Sequence, residues 1–285
     1  MLPCRSRIDS AITYYESTFV LQAKALVLNN SLLEEQARNP TLVNKRSFSK
    51  LQNKVCLITG GSRGIGAAIA QRFAQEGLKC ILVSRSMVEL QKSCAGLPGL
   101  DHKARFGDVG ERKFWVELGK EFKDVDILVN SAGIGQQTLL VRTSEEEIDQ
   151  IIRTNLIGTV YGCQIIGKNM LKNKTGSIIN ISSILGLRGS SGCAIYSASK
   201  AVSKTSGFTK ALAQEFGPSG IRVNGIAPGY IDTDMIAGFS EAMRSSSALK
   251  RPGTVSEVAE AAFMVATNTY INGSTITIDG GLSFY

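Results

Sequence analysis

A single histidine, His102, stands in this chain of 285 residues, with no cysteine, histidine or acidic neighbours at ligand spacing, so no metal site is expected. The six cysteines (Cys4, Cys56, Cys80, Cys94, Cys163 and Cys193) never fall into Cys-x-x-Cys spacing. That argues against a metal cluster or a secreted disulfide framework and favours a reducing compartment. Long hydrophobic runs are missing too. The apolar stretch from Phe19 to Leu28 is interrupted by Gln22 and Lys24, too short and too polar to span a bilayer. The formal charge is +8, yet the basic residues are dispersed and no aromatic-studded basic stripe accompanies them, which excludes a nucleic-acid-binding signature. No proline- and serine-rich linker, internal repeat or low-complexity block divides the sequence.

What is present is an ordinary globular composition, 43% hydrophobic and 20% charged, sufficient for a substantial core. From Lys54 onward short apolar runs alternate with helical patterns. Strands are predicted at Val55 to Thr59, Cys80 to Val83, Ala104 to Phe106, Ile127 to Val129, Ser177 to Ile181, Arg222 to Ile226 and Ser274 to Ile278. Helices are predicted at Ile65 to Glu76, Met87 to Cys94, Glu111 to Phe122, Ser144 to Leu171, Tyr196 to Phe216 and Val255 to Ala266. Repeated strand, helix, strand units imply right-handed crossovers and a mostly parallel seven-stranded sheet covered on both faces, an α/β, doubly wound, Rossmann-type domain. It is expected over residues 51–285, preceded by an N-terminal extension over residues 1–50.

Between the first strand and the first helix lies Thr59-Gly-Gly-Ser-Arg-Gly-Ile-Gly66. Its glycines permit a tight turn and close backbone approach, and the following helix aims free amides at a pyrophosphate. Gly60, Ser62, Arg63, Gly64, Ile65 and Gly66 are therefore candidate phosphate contacts. Farther on, Tyr196 and Lys200 are four residues apart, on one face of a predicted helix, where the ammonium favours the phenolate and lowers a tyrosine pKa from about 10 toward a working range. Ser183 precedes Tyr196 by thirteen residues.

Thr-Gly-x-x-x-Gly-x-Gly, Asn130-Ser-Ala-Gly133, Asn155, Ser183, Tyr196-x-x-x-Lys200 and Pro228-Gly229 occur in the order in which the short-chain dehydrogenase/reductase family has them, and the chain resembles that family over almost all of residues 54–285. Within it, Thr138 to Thr143, Ile221 to Gly229 with Thr233-Asp-Met235, and Asp279-Gly-Gly281 most resemble 3-oxoacyl-[acyl-carrier-protein] reductases. The resemblance implies Tyr196 as proton donor and Ser183 as its partner on the carbonyl oxygen. It assigns Lys200 to the nicotinamide ribose and the tyrosine pKa, and Asn155 to a water relay. It further implies cofactor contacts from Asp108 and Val109 at the adenine, from Asn130, Ala132 and Gly133 at the central portion, and from Ile231 and Thr233 near the carboxamide.

An NAD-specific site has an acidic residue at the end of the second strand; here stand Ser84 and Arg85, and Arg63 lies in the glycine loop, a pair suited to a phosphate. The expected cofactor is NADPH. Asp232 and Asp234 read as helix-start or surface acids, and Met235 to Arg251 as a mobile substrate lid or an inert surface loop. Lys168, Lys172, Lys174 and Arg188 form a basic surface for an acyl carrier protein or simply a solvated face.

Two extra residues before Gly207 disturb the helix after Lys200 relative to the family. This leaves two alternatives to the 3-oxoacyl thioester reductase: a broader carbonyl or quinone reductase, and a catalytically weak structural or cofactor-binding subunit. The family also implies a homotetramer. The extension carries seven basic and four acidic residues, and Arg46-Ser47-Phe48-Ser49 resembles a matrix-protease site; a mitochondrial transit peptide is expected, with a disordered or loosely docked extension on a cytoplasmic protein as the alternative.

Overall fold

Seven runs, most of them rich in aliphatic and β-branched residues, pair side by side into one sheet: β1 (Val55–Thr59), β2 (Lys79–Ser84), β3 (Lys103–Phe106), β4 (Ile127–Asn130), β5 (Gly176–Ile181), β6 (Ile221–Pro228) and β7 (Thr275–Ile278). The computed structural model describes residues 51–204, 207–238, 240–241 and 246–284. The expected N-terminal extension and its cleavage-site resemblance lie outside the described residues. So do Thr205 and Ser206, within the expected insertion, and residues 239 and 242–245 of the expected lid.

Strand order is β3-β2-β1-β4-β5-β6-β7, and every pairing is parallel, from Val55 opposite Lys79 to Pro228 opposite Ile278. Consecutive residues Cys56, Leu57 and Ile58 are all fully buried. A strand with both faces inaccessible needs a helical layer on each side, which is why the central strands read as unbroken apolar runs rather than alternating ones.

Those layers are α1 (Gly64–Gln75), α2 (Met87–Ala95), α3 (Arg112–Glu121), α4 (Glu145–Ile152), α5 (Gly158–Asn173), α6 (Leu185–Arg188), α7 (Ala194–Lys204), α8 (Gly207–Phe216) and α9 (Val255–Thr267). On one face Trp115, Leu118, Ile166, Met170 and Phe216 pack against Leu57, Leu128 and Val223. On the other, α1 lies along α9, with Phe73 and Phe263 meeting edge to face at 6.0 Å. Thr254 and Glu257 form a reciprocal capping box at the start of α9. At its end, the Arg222 guanidinium donates to the carbonyls of Val265, Ala266 and Ile271 and to Ser177 Oγ. A cation there satisfies acceptors that the last helical turn leaves open.

Two predicted helices are divided. The stretch from Ser144 to Leu171 contains a π-helical turn at Arg153–Ile157, between α4 and α5. Periodicity alone cannot reveal one extra residue in a turn, and such turns recur at functional sites. The stretch from Tyr196 to Phe216 is helical as α7 and α8, on either side of residues 205–206. His102 is tied into the strand edge: its Nδ1 accepts from Cys80 N at 3.1 Å and its Nε2 lies 2.9 Å from Pro98 O.

The sheet order places the site. From β1 the chain winds outward through β2 and β3, then crosses back to β4 and winds the other way, so the carboxyl ends of β1 and β4 flank a crevice.

Candidate active site

The glycine loop leaves β1 at this crevice. Gly60 has φ +68°, and a Cβ there would lie 2.9 Å from Ala132 Cα; at Gly66 a Cβ would collide with the Gly60 carbonyl. Thr59 Oγ1 accepts from the amides of Ser131 at 3.0 Å and Ala132 at 3.1 Å, fastening the loop after β4 to the loop after β1. Arg63 is extended before α1, and no side chain caps the first turn of that helix. Its amides are left facing a cleft of about 1240 Å³, in the arrangement that binds anionic phosphate. The bare backbone cradle, which side chains would fill, and the size of the cleft fit a dinucleotide.

At the far end of the cleft Ser84 Oγ lies 3.0 Å from Ser62 Oγ. Arg63 pairs with Asp234 at 3.3 Å and Arg85 with Asp108 at 3.6 Å, all four side chains well exposed. Exposed pairs of this kind hold their partners weakly, so either arginine can turn to a phosphate. Glu89 and Lys92 also line this end.

Deeper in, the segment just after β5 carries Ser182 and Ser183, and α7 presents Tyr196 and Lys200. The hydroxyl of Ser182 donates to Lys200 O at 3.2 Å, and a Cβ on Gly186 would lie 2.8 Å from Lys200 C, so α6 sits directly on α7. Lys200 Nζ donates to Ile181 O at 3.4 Å and lies 5.6 Å from the Tyr196 ring centre. Asn155, fully buried in the π turn, accepts from Ile134 N and donates to Ile134 O and Ser199 Oγ. Gly133 separates Lys200 Nζ from Asn155 Oδ1, 3.1 and 3.3 Å from where its Cβ would be. Four residues separated by up to 45 positions therefore meet at one place.

Burial pushes the Tyr196 phenol up to about 12, against a hydrogen bond with Ser183 that pulls it down, while the nearby Cys193 raises it further. This reverses the direction expected from Lys200 alone. The ammonium lies over the ring at 5.6 Å from its centre, and loss of hydration is the larger influence on the phenol.

Beside Tyr196 a second pocket of about 350 Å³ opens, lined by Ser183, Ile184, Leu185, Tyr230 and Ile236. It shares Ile65, Tyr196, Thr233 and Met235 with the larger cleft, so the phenol stands where the two join. Ile231 lines this second pocket and not the nucleotide cleft, and Val109 lines the cleft while the Asp108 carboxylate turns to Gly110 N at 2.7 Å. Asn130, 2% exposed, spends its amide within the core on Asn180 Oδ1 at 2.9 Å. Its part in the site is to hold β4 against β5. Ala132 and Gly133, just beyond it, line the cleft.

Of the expected basic surface, Lys172 and Lys174 stand at the end of α5, immediately before β5 begins, and so at the opposite end of the sheet from the crevice. Arg188 is the one beside the pocket; its Nη1 donates to Leu282 O at 2.7 Å. Sequence reading gives no part to Gln136, Glu147 or Cys193, which also line the second pocket. The contacts between Gln136 and Cys193, Ile195 and Tyr196 span about sixty residues, so no local spacing signals them.

The sequence pattern of the family described as short chain dehydrogenase matches residues 54–244. The chain is 40% identical over 235 residues to a 3-oxoacyl-[acyl-carrier-protein] reductase of Bos taurus, covering 81% of this chain and 98% of that one. It is 39% identical over 235 residues to carbonyl reductase family member 4 of Danio rerio, with the same coverage. Among solved structures, a short chain dehydrogenase/reductase family protein superposes with a TM-score of 0.78 at 30% identity, covering 83% of this chain and all of the other. The chain belongs to the short-chain dehydrogenase family, and is an oxidoreductase whose fold takes a nicotinamide cofactor.

Proposed function

We propose that the protein is an NADPH-dependent reductase of 3-oxoacyl thioesters, acting on chains carried by acyl carrier protein in fatty-acid synthesis. The observation that carries this reading is the junction of the two cavities at Tyr196. A cleft with a phosphate cradle and two arginines meets a largely apolar pocket that also holds the Ser183 hydroxyl. Relatives named for this reaction support it.

Gly60, Ser62, Arg63, Gly64, Ile65 and Gly66 hold the pyrophosphate side of the cofactor. Arg63 and Arg85 hold the 2′-phosphate, Val109 the adenine, and Ala132, Gly133, Lys200 and Thr233 the inner half. When bound, the nicotinamide supplies a hydride to the carbonyl carbon. Ser183 hydrogen-bonds the carbonyl oxygen, and Tyr196 gives that oxygen its proton as the C=O double bond becomes a C–OH single bond. A phenol held neutral and protonated by burial keeps its proton to give as the acid at neutral pH. Lys200 steadies the phenolate left behind, and Asn155 fixes the Gly133–Ile134 backbone beside the ammonium while the proton is restored from water.

The assay is NADPH consumption with acyl-carrier-protein-linked 3-oxoacyl substrates, free 3-oxoacyl thioesters, and unrelated ketones and quinones. Turnover restricted to the last group would replace this reading with a broader carbonyl reductase, which the likeness to carbonyl reductase family member 4 favours. Tyr196→Phe abolishes turnover and leaves NADPH binding intact. We assign the chain to the mitochondrial matrix and to a homotetramer. Retention of Met1 on cytosolic protein, or a monomer in sedimentation, overturns the respective assignment.

A further inference from the structure

The first turn of a helix presents amides with no partner inside the helix, normally met by the side chain of the residue just before it. In α7 that residue is Cys193, whose thiol points away and donates to Gln136 O at 3.2 Å. The amides of Ile195 and Tyr196 are instead met by one atom, Gln136 Oε1, at 2.9 and 3.1 Å, from a residue about sixty positions earlier. The other end of the same carboxamide, Nε2, donates to Thr138 O at 3.2 Å and to Thr143 Oγ1 at 3.0 Å. Gln136 is 4% exposed and lines the pocket that holds Ser183 and Tyr196.

We propose that Gln136 is a positioning residue for proton transfer: its carboxamide clamps the start of the Tyr196 helix to the loop after β4 and thereby sets the phenol over the substrate pocket. The proposal rests on the reading of Tyr196 as proton donor. The side chain must accept on one end and donate on the other. Glutamine does both without charge; methionine fills the space and does neither; glutamate keeps the acceptor but places a carboxylate oxygen against Thr138 O.

The groups facing the phenol are few. Lys200 and Cys193 come from α7 and the residue before it, Ser183 from the end of β5, Tyr230 from the segment after β6 with Arg188 of α6 acting on it, and Glu147 of α4 from across the pocket. A glutamate at position 136, held ionised by two helix amides, adds a negative charge to this set and opposes the phenolate.

The test reads position and proton separately. In Gln136→Met, kcat is expected to fall by roughly ten- to a hundredfold while the NADPH dissociation constant stays within about twofold, because the phenol is displaced and the cleft is not. In Gln136→Glu, the ultraviolet titration of Tyr196, taken as the difference from Tyr196→Phe, moves to higher pH than in the wild type. Unchanged kcat in a folded Gln136→Met protein, or an unmoved Tyr196 titration in Gln136→Glu, overturns the proposal. The titration needs no substrate, so it still decides the role of Gln136 if no 3-oxoacyl thioester proves to be turned over. If Gln136→Met does not fold, Gln136→Glu carries the test alone.

Discussion

Gly186→Ala tests how tightly α6 fixes the helix that carries Tyr196 and Lys200. A Cβ at this position would lie 2.8 Å from Lys200 C, 2.9 Å from Ala201 N and 3.0 Å from Lys200 O. All three are backbone atoms, so no flexible side chain can swing aside. Carbon atoms settle at about 3.5–4.0 Å, so α6 and α7 must separate by roughly 0.7–1.2 Å. Overpacking of this kind costs about 1–3 kcal/mol, and at this chain length each kcal/mol lowers Tm by about 2–4 °C. A misplacement near 1 Å at a reacting group costs about a hundredfold in rate. We expect kcat to fall by roughly thirty- to a hundredfold, and Tm to fall by about 4–8 °C, taking about 2 kcal/mol as the central value. Steady-state carbonyl reduction and thermal unfolding read the two effects, with Gly207→Ala as the control, since nothing lies within 4 Å of its added Cβ. A Gly186→Ala protein with wild-type kcat and wild-type Tm would refute the reasoning, because it would mean that the contact is slack.

Replacing both Arg63 and Arg85 with alanine should raise the KM for NADPH by about ten- to a hundredfold and leave that for NADH nearly unchanged, from the loss of charge-assisted bonds to a phosphate; equal losses with both cofactors would remove the arginines from phosphate recognition. The Tyr196 phenol is raised from about 10 to about 12 in the fold, so the folded state holds this proton more tightly than the unfolded chain. Its stabilisation is therefore complete below pH 10 and disappears between pH 10 and pH 12, and stability of Tyr196→Phe should fall less steeply than wild type across that window in denaturant titrations. Arg222→Met should cost about 3 kcal/mol, since three carbonyls and Ser177 lose a charged donor at once. A drop in Tm of only a degree or two would show that water replaces the guanidinium.

Much of the fold was legible because central parallel strands are apolar throughout. Ile58, Leu82 and Ile179 sit in runs that make little sense outside a doubly covered sheet. The glycine loop could be read because its constraint is local: Gly60 and Gly66 lie in one turn and meet backbone within it or the adjacent loop. Asn155 was legible as a position but not as a geometry. Its π turn adds one residue to a helix whose hydrophobic period continues on both sides, and periodicity is blind to that. Lys172 and Lys174 misled because charge is visible in a sequence while the end of the sheet on which it falls is not.

The sequence alone determined the chemistry available: a phenol and an ammonium one helical turn apart, a hydroxyl upstream, glycines where phosphate approaches, and arginine in place of an acid after β2. These depend on residue type and short spacing, which a chain carries whatever its surroundings. Tertiary structure decided what those groups are. Burial at the junction of two cavities raised the Tyr196 phenol to about 12, despite the lysine four residues on. The start of its helix came to rest on Gln136 rather than on its own preceding residue. Solvation and long-range hydrogen bonding are properties of the packed sheet and its loops, and no window of sequence contains them.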